Sequence, residues 1–352
     1  MKITVNELPS RTWNRLGMNE SVVSLEGEYK SFRPTADYDE KTISWQAEGK
    51  GFPSGMHGDL EGVTASAAVG FAKTAAGVQM EKPLVLSYDY EKDSHNVSRL
   101  ILHAEAGSHM KVVLVFRSPE DSADASALQV EIYGDQNAVV DLYTAQLLGR
   151  QSLILTNIAG VCEDNAAVNL TRLELGAGRN YEGANIDLKG TESAFHTKIG
   201  YHVKPGQVLD MNYVALHHGK RTTSLMEANG TLEEGARKIF RGTIDFQQGC
   251  AGAKGTENEN VLLMGDEMVN QTIPLILCKE EDVEGNHGAS IGQLDEKVLF
   301  YLGTRGISEE AARAIIAQAR IEAVCDLFPE ESVRNQVREF ESVRGISHEA
   351  EL

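Results

Sequence analysis

Hydrophobic and polar residues alternate with a period of two through most of this chain. Phe195, Thr197, Ile199, Tyr201 and Val203 alternate with polar or small neighbours until Pro205-Gly206 turns the chain. Leu209, Met211, Tyr213 and Ala215 repeat the pattern before His217-His218-Gly219. Met226 and Ala228 lead into Asn229-Gly230, which reads as a turn pair, and Phe240, Gly242, Ile244 and Phe246 follow. Segments around Val130, Leu142, Leu155, Leu170 and Leu188 behave alike. Alternation bounded by Gly, Asn and Asp is the mark of half-buried strands. Pro205 is the only proline between Glu120 and Thr272, which suits uninterrupted hydrogen-bond ladders. Strand centres recur about every 10–17 residues, with little room for crossover helices, so an all-β sandwich, barrel or solenoid is expected. Spacing does not separate these three. A solenoid would present long side walls able to pair with a second protein by continuing a sheet, whereas a sandwich would have no special edge.

The pattern changes near the end. Thirty of the 33 glycines precede residue 293, and the remaining three are Gly303, Gly306 and Gly345. Leu294, Val298, Leu299 and Leu302 share a helical face, with Gly306 as a stop. Ser308 suits an N-cap, followed by Glu309 and Glu310 where a helix dipole favours anions. Ala312, Ile315, Ile316, Ala319 and Ala323 form a stripe ending near Leu327-Phe328-Pro329, and a third helix carries Val333, Val337 and Phe340. The chain divides into an N-terminal extension (1–60), a β core (61–292) and a helical module (293–352). The module is either a cap packed on the sheet or a docking element for a partner.

Thirty-three Lys and Arg against 52 Asp and Glu give a net charge of −19, which disfavours binding to nucleic acid or an anionic membrane. No stretch approaches the ~18 apolar residues of a membrane span. The opening MKITVNELPSRTW has no apolar core of a signal peptide. Cys162, Cys250, Cys278 and Cys325 form no CxxC pair, so reduced thiols and a cytoplasmic location are expected.

A phosphate-binding loop is missing: Lys220 has Val214 where the first glycine belongs, and Arg221 follows it. Gly176-Ala177-Gly178 reads as a turn, with Tyr181 in place of a third glycine. ATP, if involved, is hydrolysed by another chain. His217 and His218 point to opposite faces of a strand, and His196 and His202 stand roughly 20 Å apart at ~3.3 Å per residue, so neither pair shares a metal. His57, in Gly55-Met56-His57-Gly58, reads as loop. No HExxH or GxSxG occurs. Cys278 and His287 flank an acidic run, Glu280-Glu281-Asp282. Thiolate and imidazole suit iron, an iron–sulfur cluster or zinc, but two soft ligands do not close a tetrahedral site.

These same residues carry a resemblance. Asn286-His287-Gly288-Ala289-Ser290, Gly292-Gln293-Leu294-Asp295, Leu299-Phe300-Tyr301-Leu302, Arg305-Gly306-Ile307-Ser308 and Glu310-Ala311 closely resemble the C-terminal signature of the SufB/SufD family. That family comprises the scaffold proteins of the SUF iron–sulfur cluster assembly machinery. Phe240-Arg241-Gly242 and Asn258-Glu259-Asn260-Val261-Leu262-Leu263 look like further landmarks. The resemblance implies a right-handed parallel β-helix with a C-terminal helical module. It also implies side-by-side pairing with a SufB-like sister, docking of a SufC-like ABC ATPase through roughly Leu294–Phe328, and indirect service by a cysteine desulfurase. His287-Gly288-Ala289, and Glu259 where SufB-like members carry a sulfur-accepting cysteine, look SufD-like. Gly285 replaces a cysteine of many SufD proteins, and Cys278 matches one of SufB-like members.

By this resemblance the chain is a scaffold rather than an enzyme and binds no nucleotide. His287 would bind iron or a nascent cluster transiently at the subunit interface, with Cys278 a second cofactor-binding candidate. Two other readings stand beside it: a secreted-type β-solenoid that binds or cleaves carbohydrate, and a lone homodimeric SufB-type scaffold using Cys278 or Cys250 as its thiol.

Overall fold

A computed structural model describes residues 1–12, 14–46, 59–65 and 67–346; His57 lies outside them. From Val69 to Gln293 the chain alternates between two sheets of parallel strands. One sheet takes Val69–Thr74, His95–Ala104, Ala125–Gly134, Leu153–Cys162, Arg179–Leu188, Val208–His217, Arg237–Phe246 and Val269–Cys278. The other takes Leu84–Asp89, His109–Arg117, Val139–Leu147, Ala167–Glu174, Ala194–Val203, Thr223–Glu233, Ala253–Met264 and Val283–Gln293. Each strand lies on its counterpart one coil earlier: Leu153 pairs with Arg179 and Arg237 with Val269, so a coil takes between 26 and 32 residues in these two cases. This is a parallel β-solenoid. The spacing that left sandwich, barrel and solenoid open is decided by these parallel registers, which a hairpin-built sandwich lacks.

Period-two alternation sends one set of side chains inward. Phe195, Ile199, Tyr201 and Val203 are buried in the same core as Leu209, Met211 and Tyr213. The other set varies with what covers it. Ile3, Val23, Leu25 and Leu60 pack against Val97, Ala127 and Leu155 on the outside of the first sheet. Leu60 belongs to α1 (Asp59–Thr64). Arg241, of the Phe240-Arg241-Gly242 run, pins this N-terminal segment: it is fully buried, pairs with Asp210, and donates to the Met18 carbonyl at 2.8 Å.

Asn229-Gly230 is not a turn; it lies inside Thr223–Glu233. A Cβ at Gly230 would stand 2.1 Å from the Tyr201 ring, so glycine makes room for an aromatic stacked from the coil before. The dipeptide signals a hairpin only when the neighbouring strand follows directly in sequence, and here the ladder partner is a full coil away.

Three helices follow: α2 (Glu296–Thr304), α3 (Glu309–Cys325) and α4 (Glu331–Ile346). Ser308 caps α3, its side chain accepting from the Ala311 amide at 3.1 Å. The buried stripe of α3 is Ala317, Ile321 and Val324, with Ala312 and Cys325. Of the expected stripe only Ala312 is buried, while Ile315, Ala319 and Ala323 face outward. Both sides of α3 carry small apolar residues, so periodicity alone does not choose between them. Ile321, Val324 and Phe328, with Val333 and Val337 of α4, cover Val113, Ala145 and Leu173 on the second sheet. Such burial contributes about 1.5–3 kcal/mol per large side chain.

The two ends of the solenoid differ. At the N-terminal end, Thr35–Asp37 and Ser44–Gln46 pair antiparallel with the first coil. At the other end, Val269–Cys278 and Val283–Gln293 are the last strands of their sheets among the described residues.

Candidate functional site at the open end of the solenoid

The last coil places the residues that the sequence singled out. Every residue from Glu284 to Gln293 is exposed, inward-pointing ones included, because among the described residues no further coil covers them. Register fixes their directions. Glu257 lies beneath His287, and Gly242 beneath Pro274. Glu257 and Gly242 face each other across the interior: a Cβ on Gly242 would stand 2.3 Å from the Glu257 carboxyl. His287 and Pro274 therefore face each other one layer higher, on the open face. Gly285 agrees with this, because its Cβ would meet Ile276, the next inward residue, at 3.1 Å.

Cys278 occupies the corner of this coil, exposed, with Sγ 3.0 Å from the Glu280 carbonyl oxygen. It lies four residues along the strand from Pro274, about 13 Å at ~3.3 Å per residue. The structure thus sets His287 and Cys278 on one rim but apart. Among the described residues, no three His, Cys, Asp or Glu side chains converge to hold a metal ion. His196, His202, His217 and His218 lie elsewhere. His217 is enclosed by the Thr222 and Ser224 hydroxyls at 2.7 and 2.9 Å, and burial lowers its pKa to about 4. His218 pairs with Asp187 at 2.6 Å.

Beneath the rim is a polar layer that sequence reading missed. Lys238 and Glu259 form an ion pair with both side chains essentially inaccessible. Thr272 donates to Glu259, and the Tyr201 hydroxyl, reaching past Gly230, donates to Glu259 at 3.3 Å. Burial lowers the Lys238 pKa while Glu259 opposes the shift. Burial and the neighbouring Glu259 push the Glu257 carboxyl up to about 8. Deeper still, Arg172 donates to Glu174 at 3.0 Å and pairs with Glu182 at 2.8 Å, and Tyr213 donates to Glu182 at 3.0 Å. Charged residues at alternate positions ordinarily mark a solvated face, yet Glu257 and Glu259 are buried; the sequence signal that could have found them is Val261, two residues on, in the same alternation.

The chemistry on offer is one imidazole, one separate thiol and an uncapped pair of strands. A neutral imidazole is a borderline-soft donor suited to iron, and alone it leaves most of a coordination sphere to be filled by another chain.

Comparison with known proteins decides the family. Residues 88–320 match the family model described as SUF system FeS cluster assembly, SufBD core domain. The chain belongs to the SufB/SufD family. It is 25% identical over 275 residues to the iron–sulfur cluster assembly protein SufD of Bacillus subtilis, covering 76% of this chain and 62% of that one. It is 26% identical over 242 residues to the chloroplastic SufBD family protein ABCI8 of Arabidopsis thaliana, covering 66% and 43%. With SufB of Bacillus subtilis it shares 27% over a shorter stretch of 171 residues, 49% of this chain and 37% of that one. The matched stretch thus spans between about two fifths and three fifths of the first two relatives' lengths. The longer alignment to SufD agrees with the SufD-like His287-Gly288-Ala289 and with Glu259. Membership in this family leaves the carbohydrate-binding solenoid without support. Among the described residues, no helix is long and apolar enough to cross a membrane.

Proposed function

We propose that this SufB/SufD family chain is a non-catalytic scaffold subunit. Its open coil end docks on a SufB-like sister, and an iron ion or nascent iron–sulfur cluster is held there as cargo. The observation that carries the reading is the uncovered last coil, where Ile291 is 48% exposed on the same strand as His287. An uncapped pair of strands that leaves inward-pointing Ile291 exposed favours a partner that continues the sheet or covers the end.

In this reading His287 contributes one nitrogen donor, and the sister contributes thiolate and carboxylate donors. A site completed by two chains resolves the shortage of ligands on this one. Imidazole holds iron less tightly than thiolate, which suits cargo that must be passed on. Cys278 stands apart on the rim, a thiol facing whatever covers the end. Sulfur arrives through the sister from a cysteine desulfurase.

A SufC-like ABC ATPase docks on Leu294–Phe328, supported by exposed Val298, Phe300, Tyr301, Ile315 and Leu327. Nucleotide turnover belongs to that partner. Its closure would pull on α2 and α3 and strain the paired coil ends, opening the interface for release. The exposure of Cys278, alone among the four cysteines, favours as second reading a homodimer using its own thiol.

Co-expression with a SufB-like sister and a SufC-like ATPase tests this. Ile291→Arg should leave the chain folded and bound to the ATPase while reducing recovery of the sister at least tenfold. Undiminished recovery of the sister would exclude docking through this end. A stable complex of two copies with the ATPase, loaded with iron and sulfide and lacking the sister, would favour the homodimer.

A further inference from the structure

On the outer wall of the second sheet, far along the chain from the open end, His202 is almost fully buried between two carboxylates. Its Nε2 lies 2.7 Å from Glu233 Oε1, at the end of the adjacent strand, and its Nδ1 lies 3.1 Å from Glu341 Oε2 on α4. A neutral imidazole carries a single N–H. With a carboxylate against each ring nitrogen, both must donate, so the ring is an imidazolium joining the solenoid to the helix. We propose that His202 is a proton-operated clamp that fastens the C-terminal end of α4 to the solenoid and lets it go when the ring loses its proton to solvent.

The position of the clamp gives it local reach. The first part of α4 is held by Val333 and Val337 in the apolar cluster, with Phe340 packed against it. Beyond Phe340, Glu341 reaches the solenoid through His202 and, at 3.7 Å, Lys204. The pair also forms one wall of a cavity of about 990 Å³ between α3, α4 and the Pro205-Gly206 turn.

The other charges at this cavity bear on the ring. Arg313 of α3 is paired with Glu309 at 2.7 Å and Arg150 with Glu120 at 2.8 Å, so both guanidiniums are already engaged. Glu234 accepts from the Asp266 and Glu267 amides at 2.7 and 2.9 Å, and Glu310 stands on the α3 side. Lys204, on the same strand end, opposes the imidazolium. Burial also opposes it, but the Glu233 and Glu341 hydrogen bonds outweigh both and hold the pKa above 6.5. A base whose folded pKa is raised stabilises the closed form fully below about 6.5, and the contribution is lost as pH rises through the folded value.

Hydrogen exchange of the full chain, corrected for intrinsic rates, tests the clamp at pH 6 and pH 9. Protection across 338–346 should fall about tenfold for each unit by which the folded pKa exceeds the free one, while Glu309–Cys325 keeps its protection. His202→Gln should show the low level at both pH values, and Glu341→Gln should flatten the pH response. Neither substitution touches the core, so folding is retained. Equal protection of 338–346 at both pH values in the unmodified chain, or a full pH response surviving in His202→Gln, would overturn the clamp.

Discussion

Lys238 and Glu259 show how a charge pair is kept inside an apolar solenoid. Each is stripped of water, and the pair holds because Thr272 and Tyr201 fill further positions around the carboxylate. Removing one member leaves the other charged and buried, at a cost of about 3–5 kcal/mol, whereas neutralising both is far milder. Lys238→Met should therefore lower unfolding stability by about 3–5 kcal/mol in urea. Lys238→Met with Glu259→Gln should recover most of that loss, since the glutamine carbonyl still accepts from one hydroxyl and its amide can donate to the other. A double variant no more stable than the single one would mean that the pair is not the source of the effect. Gly230 belongs to the same arrangement: it is small because the Tyr201 ring passes over it on the way to Glu259.

At the scale of elements, the strands were legible because one face of each is buried by the coil itself. Phe195 through Val203, and Phe240 through Phe246, read correctly from alternation alone. Asn229-Gly230 did not, because its local turn signal is overridden by a ring from an earlier coil. The α3 stripe was misjudged because alanine and isoleucine lie on both sides, and the choice is made by the wall that α3 covers. The α2 helix was placed correctly, with Asp295 as its cap accepting from Lys297 at 2.8 Å, yet none of its residues is buried. An apolar helix left uncovered is an interaction surface. Phe300, 76% exposed, and Tyr301 should be replaceable by Ser together with little change in unfolding stability. The same double variant should lose at least tenfold in affinity for the SufC-like ATPase, read by titration calorimetry. Unchanged affinity would remove α2 from the docking surface.

Over the whole molecule, asymmetry is the organising fact. Antiparallel strands close the first coil, and among the described residues no strand covers the last one. The sequence held no direct statement of this, since a terminal strand and an internal one alternate in the same way. His287 was legible only as part of an ordered signature. That it stands on the last layer, above Glu257 and across the interior from Pro274, with Cys278 about 13 Å further along Pro274's strand, follows from the register of two strands that local pattern does not specify. In the proposed reading the chain supplies one imidazole at this end, with the other donors across an interface.

The most direct test is the iron and acid-labile sulfide content of the co-purified complex of this chain, its SufB-like sister and the SufC-like ATPase, compared with the same complex carrying His287→Ala. The expected result is an intact complex of unchanged stoichiometry whose iron and sulfide both fall at least fivefold. Full iron and sulfide in an intact His287→Ala complex would contradict the role assigned to this residue.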